Sequence, residues 1–476
     1  MSDLATGSRR WWALGFIALA QFMVIMDTSI IGVALPRMRV DLGFSPGGLS
    51  WVFNAYVIAL AGLLLLGGRL SDLLGARRVF AAGWVILAVG SVVAALAGTA
   101  GVELVGRVVQ GAGSALIAPS ALTLLMTVFG PRPGELGKAL AIYGAAAPAG
   151  GTAGVFLGGV ITQWLSWPWV FWLYVPIAAV AIVATPLLMP VAGRSRGSVD
   201  VTGAAAVTGG LALAVLAIVR APQVGWAAPS TLAILAGAVV LLAGFVALQR
   251  IRREPLVRLG IFRTPLLGAA NLAQALLGAA WIPMWYFLNL YLQQVLGYGA
   301  FASGAALLPM TLLIVLLMVA VAPRLIARLG AKPLIVGGLV ALAAGLVWLS
   351  FARPTGNFLV DVLPASLLAA LGQALAFIPS LGTAIGSARP EEGGLAAGLV
   401  NTSYQVGSAL GLAAMTAVGV SFGAGRIGHP AELTAGFSAA FLGAAGIAVL
   451  GAILVLLVFR TRRLANAPDR EPARVG

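Results

Sequence analysis

The chain contains 476 residues, of which 61% are hydrophobic and only 9% charged, and its formal net charge is +15. A protein dissolved in water needs charged groups over its surface, so this composition excludes a soluble globular protein and indicates that lipid is the main solvent. The sequence has no cysteine, which excludes disulfide bonds and thiol chemistry.

Apolar blocks recur along the chain, each about as long as the ~20 residues that a helix needs to cross a hydrocarbon core. Because a helix satisfies its own backbone hydrogen bonds in lipid, the blocks predict an all-α integral membrane protein with fourteen transmembrane helices. The predicted spans, numbered 1 to 14, are residues 11–35, 50–70, 79–99, 101–125, 137–162, 166–190, 201–220, 229–249, 267–292, 302–325, 333–351, 359–386, 394–420 and 435–459.

The basic residues test this topology, because lysine and arginine accumulate in cytoplasmic loops. With the N-terminus inside, most of the 29 basic residues fall in inner segments. The outer loops then contain only Arg37, Arg39, Arg220, Arg353 and Arg426. Both termini are therefore predicted to be cytoplasmic, and the dispersal of positive charge over many short loops argues against a nucleic-acid partner. Span 1 follows Arg9 and Arg10 but is too long for a signal peptide, so we expect it to be retained.

Two charged residues lie inside predicted spans at similar depth. Asp27 is about eight residues, or about 12 Å, from the outer end of span 1, and Arg107 lies about 9 Å into span 4 from the same side. Such charges are costly in a bilayer unless they are paired or line a wet cavity. Burial favours the neutral form of a carboxyl group, whereas a nearby arginine favours the ionised form. A change in water access or in bound cargo can therefore switch its protonation. A proton-coupling site requires this property; the alternative is a fixed ion pair that ties two helices together.

Two further polar residues flank Arg107 on span 4. Glu103 lies one turn before it on the same helix face, which makes Glu103 a candidate for the same proton relay. A carboxylate at a helix mouth is more often solvated, and that is the alternative for Glu103. Gln110 lies three residues beyond Arg107, where it can present polar atoms to the same cavity.

The predicted cytoplasmic loop after span 2 carries a cluster of glycines and charges: Gly68, Arg69, Asp72, Gly75, Arg77 and Arg78. A carboxylate at this mouth can bond helix termini or arginines when the protein closes on that side. The alternative is the ordinary enrichment of basic residues in inner loops, with one incidental acid.

The loop after span 10 repeats this pattern, with Gly330 aligned to Gly75 and Ala327 in place of Asp72. The offset of 255 residues (330 − 75) predicts two duplicated six-helix bundles, residues 1–192 and 265–476, with two inserted spans in residues 193–264. Parallel halves around a central site are an architecture of transporters. The same offset places Ile282 opposite Asp27 and Val362 opposite Arg107, so the titrating chemistry is predicted to belong to the first half only.

The cargo is inferred from polar and aromatic residues at membrane depth, which suit an amphipathic ligand. For any single aromatic, packing against lipid is the more common role. The candidates for the substrate cavity are Gln21, Asn54, Tyr56, Gln110, Tyr143, Asn271, Gln274, Trp281, Trp285, Tyr286, Asn289, Gln293, Phe377, Asn401, Tyr404 and Gln405. Spans 9 to 14 contain almost no acid, which favours neutral or monocationic lipophilic cargo.

The sequence contains few of the residue patterns that are typical of enzyme active sites. Its only histidine, His429, lies in a loop, no Cys/His cluster predicts a metal site, and no phosphate-binding Gly-Lys-Ser/Thr motif is present. We therefore expect no metal, no cofactor and no catalytic activity, and a proton gradient as the energy source.

Several segments resemble motifs of the major facilitator superfamily, and the resemblance runs from span 1 to span 14. The segment from Gly68 to Arg78 is similar to the superfamily signature after span 2, and the segment 104–113 resembles the motif of span 4. Residues 26–36 are similar to the span 1 motif of the fourteen-span drug:proton antiporter family of the EmrB/QacA type. Residues of span 6 also fit that group: Trp167, Trp169, Phe171, Val175 and Pro176.

The resemblance implies a major facilitator fold and proton-coupled export of drugs or antibiotics across a bacterial cytoplasmic membrane, by a protein expected to be a monomer. It implies that Asp27 carries the coupling proton, that Arg107 tunes it and that the loop around Asp72 is a conformational latch. A span 5 motif associated with antiport is matched by four glycines: Gly150, Gly154, Gly158 and Gly159. Val155 departs from the proline usual in that motif, and Pro148 is expected to bend the helix instead.

Two alternatives remain open at the level of sequence. One is an exporter or flippase of an endogenous lipid or a secreted metabolite on the same fold. The other is a receptor or scaffold that transports nothing, which leaves the placement of Asp27 and Arg107 unexplained.

Overall fold

The computed structural model describes residues 8–44, 50–191, 200–252, 255, 259–263, 266–388, 393–426 and 428–459. These residues form helices joined by turns and short irregular segments, and no strand occurs among them. The boundaries predicted between residues 192 and 193 and between 264 and 265 lie outside the described residues.

Apart from the longer α1, the first eight long helices follow the predicted spans. They are α1 (Arg9–Leu42), α2 (Ser50–Leu74), α3 (Ala76–Ala95), α4 (Ala100–Phe129), α5 (Pro133–Trp164), α6 (Trp169–Trp172 and Tyr174–Leu188), α7 (Val201–Val224) and α8 (Pro229–Ile251). A short 3-10 helix, Leu259–Arg263, precedes the second half.

The other six helices include three that change winding along their length. They are α9 (Leu267–Leu290, then the π-helical turn Tyr291–Val295), α10 (Ala300–Ala306, Leu308–Leu316, the π-helical turn Leu317–Val321 and Ala322–Leu329), α11 (Ala331–Ser350), α12 (the π-helical turn Phe358–Val362, then Leu363–Ser387), α13 (Gly393–Ser421) and α14 (Pro430–Val458).

Thirteen of these helices are long and apolar enough to cross a membrane within the described residues. The fourteenth, α13, has 29 residues, and its polar run from Asn401 to Gln405 lowers its hydropathy. The prediction of an all-α protein with fourteen transmembrane helices is confirmed. We call the end of the bundle at which α1 begins and α14 ends the terminal face, and the other end the opposite face.

The end of α1 differs from the prediction. The helix continues past position 35 to Leu42, so Arg37 and Arg39 lie on the helix rather than in a loop. Asp27 is therefore about 22 Å from the end of its helix, not about 12 Å, whereas Arg107 is about 10 Å from the start of α4. Because the two side chains lie at one level, α1 projects about 12 Å beyond the start of α4. Trp167 Nε1 donates a 2.8 Å hydrogen bond to Asp41 near the tip of this projection.

The two halves pack in the same way. In the first half α5 packs along α1 and α4 along α3; in the second half α13 packs along α9 and α12 along α11. Arg77 donates to the carbonyl oxygen of Met189 at 3.5 Å, and Lys332 donates to that of Leu456 at 3.0 Å. Each bond ties the third helix of a half to the end of its sixth helix, which agrees with a duplication.

Close contacts at glycines fix the register of the first helices in the two halves. A Cβ atom at Gly154 would meet Met26 O, and a Cβ atom at Gly411 would meet Ala279 O. Asp27, the residue after Met26, therefore corresponds to Ala280 and not to Ile282. The predicted equivalence is wrong because changes in loop length between the helices break the constant offset.

The fourth helices are registered in the same way. Gly90 packs against Gly106 O and Gln110 N, and Gly345 packs against Ala365 O and Ala369 N. Arg107 accordingly corresponds to Ser366, which replaces the predicted equivalence with Val362. Neither Ala280 nor Ser366 titrates, so the second half has no ionisable group at either position.

Helices α7 and α8 form a hairpin at the edge of the bundle. Helix α7 contacts α2 of the first half and α13 of the second half, whereas α8 packs mainly on α7. A Cβ atom at Gly62 of α2 would lie 2.6 Å from the side chain of Thr208, so the helices approach closely there. The hairpin thus joins the two halves along one side.

Candidate functional site

A buried ion pair connects α1 and α4. The side chains of Asp27 and Arg107 have relative exposures of 1% and 0%, and Arg107 Nη1 donates to Asp27 Oδ1. Both helices belong to the first half. Burial of both partners means that loss of either one leaves an uncompensated charge in a dry place.

Further hydrogen bonds and two aromatic rings hold the guanidinium of Arg107. Its Nε donates to Val52 O at 2.9 Å, and its Nη1 donates to Gln110 Oε1 at 2.8 Å. Its Cζ lies 4.6 Å from the centre of the Tyr56 ring and 6.0 Å from that of Phe171, within reach of cation–π attraction.

The hydrogen-bond chain continues away from the ion pair. Gln110 Nε2 donates to Ser91 Oγ at 2.8 Å, which links α4 to α3. Tyr56 Oη lies 3.0 Å from both Val24 O and Ser114 Oγ, which links α2 to α1 and α4. Four helices therefore meet at the ion pair, and its position follows from their mutual packing.

Three acidic and basic groups at this site have unused polar atoms. Asp27 Oδ2, Arg107 Nη2 and both carboxylate oxygens of Glu103 are buried without a hydrogen-bonding partner among the described residues. Glu103 is fully buried, so the expectation of a solvated carboxylate is wrong. The start of α4 is covered because the longer α1 contributes Ala34 and Met38 to an apolar cluster that packs against it.

A central cavity lies between the two halves. It is lined by α1, α2 and α5 of the first half and by α9, α10, α12 and α13 of the second half. The predicted candidates that line it are Gln21, Trp281, Trp285, Tyr286, Asn289, Phe377, Asn401 and Tyr404. The cavity lining contains no charged side chain.

The other predicted candidates lie elsewhere. Tyr56 and Gln110 belong to the Arg107 network, and Tyr143 reaches the cavity indirectly, since its Oη donates to Gln21 Oε1 at 2.9 Å. Three amides bond within the second half: Asn271 with Ser403, Gln274 with Ser380, and Gln293 with Asn289. Asn54 and Gln405 are not among the lining residues.

Several lining residues escaped the sequence analysis as cavity residues: Thr28, Ser29, Phe53, Pro148, Gly151, Met318 and Gln373. A signal for some of them was available. The lining positions of α1 are 21, 25, 28, 29, 32 and 35, which recur every three or four residues and so share one helix face. Extending the face that contains Gln21 predicts Thr28 and Ser29.

Aromatic rings form most of the specific surface of the cavity. Trp281 and Trp285 have ring centres 6.2 Å apart, and Phe377 meets Tyr404 edge to face at 5.4 Å. Phe53 of the first half approaches Tyr286 of the second half, with ring centres 6.4 Å apart. Rings with scattered amides bind amphipathic molecules by apolar burial and a few hydrogen bonds.

The span 5 glycines lie on the seam between α5 and α1. A Cβ atom at Gly154 or Gly158 would lie within 3 Å of backbone atoms of α1, at Met26 and Ile30 respectively, and Gly150 faces Phe22 O. Gly159 is also buried. Pro148 and Val155 of α5 line the cavity on the other side of this seam. The glycines thus place α5 against the stretch of α1 that carries Asp27.

The charged motif after α2 lies at the terminal face, away from the cavity. It covers the end of α2 and the start of α3, joined at Gly75, whose φ of +91° favours glycine. Asp72 is half-buried and interacts electrostatically with Arg69. Gly68 is half-buried near Pro119, Arg77 bonds the end of α6, and Arg78 is exposed.

Comparisons with known proteins agree with this geometry. Residues 17–412 match the family described as Major Facilitator Superfamily. The chain is 39% identical to the cephamycin export protein CmcT of Amycolatopsis lactamdurans, over 94% of this chain and 93% of that protein. It is 34% identical to the puromycin resistance protein pur8 of Streptomyces alboniger, over 95% and 92% of the two chains.

A solved structure shares the fold. The crystal structure of the human organic anion transporter MFSD10 has a TM-score of 0.65 and 16% identity, and the match covers 94% of this chain and 100% of that one. An identity this low shows likeness of fold alone.

Proposed function

Since the chain belongs to the Major Facilitator Superfamily, we propose that this multi-pass membrane protein is a proton-coupled antiporter that exports lipophilic small molecules such as antibiotics. The proposed location is a bacterial cytoplasmic membrane, with the terminal face toward the cytoplasm. The energy comes from the proton gradient, so the protein needs no bound cofactor.

The proposal rests on one observation: α1 both lines the cavity and bears the buried carboxylate Asp27. One face of this helix lines the cavity through Gln21, Ile25 and Thr28. Asp27, next to Thr28 in the chain, is paired with Arg107 in a dry site. One helix therefore bears the residues that touch cargo and the residue that binds the coupling proton.

Proton binding has a direct physical consequence at this site. A protonated Asp27 is neutral and loses its charge-assisted bond to Arg107, which is the strongest link between α1 and α4. The glycine seam with α5 lets α1 shift against its neighbour without moving bulky side chains. Movement of α1 alters the cavity face, so proton binding and cargo binding affect the same equilibrium.

The cavity favours neutral or singly charged cargo, because its lining contains amides and rings but no carboxylate. The names of the relatives support antibiotics as cargo: one is named for cephamycin export and the other for puromycin resistance. A second candidate function is export of a secreted metabolite, with which the name of the cephamycin export protein is also compatible.

The test uses the purified full chain in liposomes with an imposed pH difference, and puromycin and a cephamycin as probes. We expect uphill transport of at least one probe, driven by the gradient and abolished by a protonophore. Asp27→Asn should abolish uphill transport and leave the protein folded, because the amide imitates the protonated carboxyl. Uphill transport by Asp27→Asn at the native rate is the result that would overturn proton coupling at this residue.

Glu135→Gln is a suitable control variant. Glu135 accepts a 2.8 Å hydrogen bond from Arg10 at the terminal face, remote from the cavity lining. This variant removes a carboxylate without touching the ion pair, so its transport should equal that of the native protein.

A further inference from the structure

Glu103 is a buried acid to which the proposed function above assigns no role. Its side chain is fully buried in the first turn of α4, and neither carboxylate oxygen has a hydrogen-bonding partner among the described residues. An ionised carboxylate is very unfavourable in such a place unless it is paired. In this arrangement Glu103 is therefore a neutral carboxylic acid that holds a proton.

The surroundings of Glu103 contain a cation and a second acid. Arg107 lies one turn further along the same helix, at the spacing that brings side chains together, and Asp27 acts on Glu103 electrostatically from α1. Arg107 Nη2 and Asp27 Oδ2 are also buried and without partners. The guanidinium therefore has an N–H group without a partner, and Glu103, one turn away on the same helix, has two acceptor oxygens without a partner.

We propose that Glu103 is a second proton-carrying residue, and that Arg107 moves its ion pair between Asp27 and Glu103 during each transport cycle. In the step concerned, the O–H bond at Glu103 breaks, an O–H bond at Asp27 forms, and the guanidinium transfers its ion pair from Asp27 to Glu103. One proton moves and no other reactant is needed. This inference rests on the proposed proton-coupled function.

The exchange explains how Arg107 keeps an anionic partner when Asp27 is protonated. If Asp27 alone were protonated, the buried guanidinium would have no anion and would be strongly unfavourable. With two acids and one proton, the three side chains carry no net charge before the exchange and none after it. The proton thus moves from Glu103 to Asp27 without leaving an uncompensated charge in the buried site during this step.

The order of the residues along α4 gives the exchange a direction. The helix begins at the opposite face, where Thr99 Oγ1 accepts from Val102 N, so Glu103 lies nearer that face than Arg107 does. In the proposed orientation the opposite face is extracellular. A proton from outside therefore reaches Glu103 first and Asp27 second, which is the direction that an exporter driven by the proton gradient requires.

The decisive experiment measures the protonated carboxyl band by infrared spectroscopy on the purified full chain at neutral pH. The native protein should show a band from Glu103, and Glu103→Gln should lack it. Asp27→Asn should also lose the band, because the released Arg107 pairs with Glu103 and ionises it. Glu135→Gln should keep it. A band that persists in Asp27→Asn, or in Glu103→Gln, overturns the proposal.

Transport in liposomes supplies the second measurement, with puromycin as the probe. Glu103→Gln should lower uphill transport about tenfold or more, and Glu103→Asp, which retains an acid, should restore most of it. If Glu103→Gln transports at the native rate while Asp27→Asn is inactive, the exchange is wrong and the proposed function stands. If both variants transport uphill, proton coupling through Asp27 is itself wrong. Should Glu103→Gln fail to fold, the Asp27→Asn spectrum still decides.

Discussion

The two halves of the protein share their packing and differ in their chemistry. Glycines at equivalent positions bring equivalent helices together, as Gly154 and Gly411 do on the first helix of each half. The residues at the equivalent positions of the ion pair differ in polarity: Asp27 and Arg107 in the first half correspond to Ala280 and Ser366 in the second. Close helix contact thus occurs in both halves, whereas at this level the buried ion pair occurs only in the first half.

The second half has specialised in a different way. It contributes Trp281, Trp285, Phe377 and Tyr404 to the cavity, while the first half contributes mainly small and aliphatic residues from α1 and α5. The ring surfaces that suit lipophilic cargo thus lie opposite the helix that is next to the ion pair. In the proposed mechanism a shift of α1 changes the distance between the ion pair and these rings.

Removal of Arg107 should have the largest effect on stability and transport. The equivalent change in the second half should have a much smaller effect. Arg107→Met leaves Asp27 buried without its cation, so we expect a loss of about 3 kcal/mol in the free energy of unfolding and no uphill transport. Ser366→Ala, the equivalent change in the second half, should cost less than about 1 kcal/mol, because Ser366 bonds only a carbonyl oxygen of its own helix. Unfolding in detergent, followed by circular dichroism, measures both, and equal losses would contradict the asymmetry.

Larger side chains at the glycine contacts between helices should destabilise both halves to a similar extent. Gly154→Val and Gly411→Val each place side-chain atoms against the backbone of the neighbouring helix, and each should destabilise by about 1–3 kcal/mol. The thermal midpoint in detergent measures this loss, and Gly244→Val, at a position with open space, is the control. A large effect in one half alone would show that only that half depends on the close approach.

Truncation of a cavity ring should weaken cargo binding and leave proton coupling intact. We expect Tyr404→Ala to raise the dissociation constant of a transported probe about tenfold, equivalent to about 1.4 kcal/mol, because it removes a ring of the cavity wall. The gradient dependence of the remaining transport should be unchanged. Trp348→Ala, an exposed ring of α11, is the control, and isothermal titration measures the affinities. An altered gradient dependence in Tyr404→Ala would place coupling in the second half as well.

The smallest effect is expected in the hairpin that belongs to neither half. Asp200 Oδ1 accepts from Gly203 N at 2.8 Å at the start of α7, and Asp200 Oδ2 accepts from Gln249 Nε2 of α8 at 2.9 Å. Burial acts to raise the pKa of Asp200, but these bonds, that from Thr202 and the charge of Arg252 outweigh it and lower the pKa. Asp200→Asn should therefore cost about 1 kcal/mol at neutral pH.

The pH dependence checks the sign of this effect. A carboxylate whose pKa is lowered on folding stabilises the protein above its ordinary value, near 3.8, and that stabilisation is lost as the pH falls through the lower folded value. The difference in thermal midpoint between native protein and Asp200→Asn should accordingly shrink below pH 4. A difference that stays constant down to pH 3 would show that the charge contributes nothing.

Much of the fold could be predicted from the sequence. The helix starts at 50, 201, 229 and 267 match the predicted starts of spans 2, 7, 8 and 9, because a bilayer demands a continuous apolar run of fixed length. The extension of α1 to Leu42 was missed, since that segment carries charged, exposed residues, and its buried Met38 packs in the apolar cluster near the start of α4. The equivalent residues of the two halves were also predicted wrongly. The offset came from one repeated loop, and the lengths of the other loops differ between the halves.

The sequence by itself predicted the all-helical membrane fold and the two intramembrane charges, Asp27 and Arg107, because these depend on hydropathy and charge along the chain. It also predicted a duplication, from a motif repeated in two loops. Only the tertiary structure decided that the two side chains form one pair, that Glu103 is buried beside them, and which rings face the cavity. Those relations join residues far apart in the chain, and they depend on how tightly glycine-lined helices approach and on which face each helix turns to its neighbour.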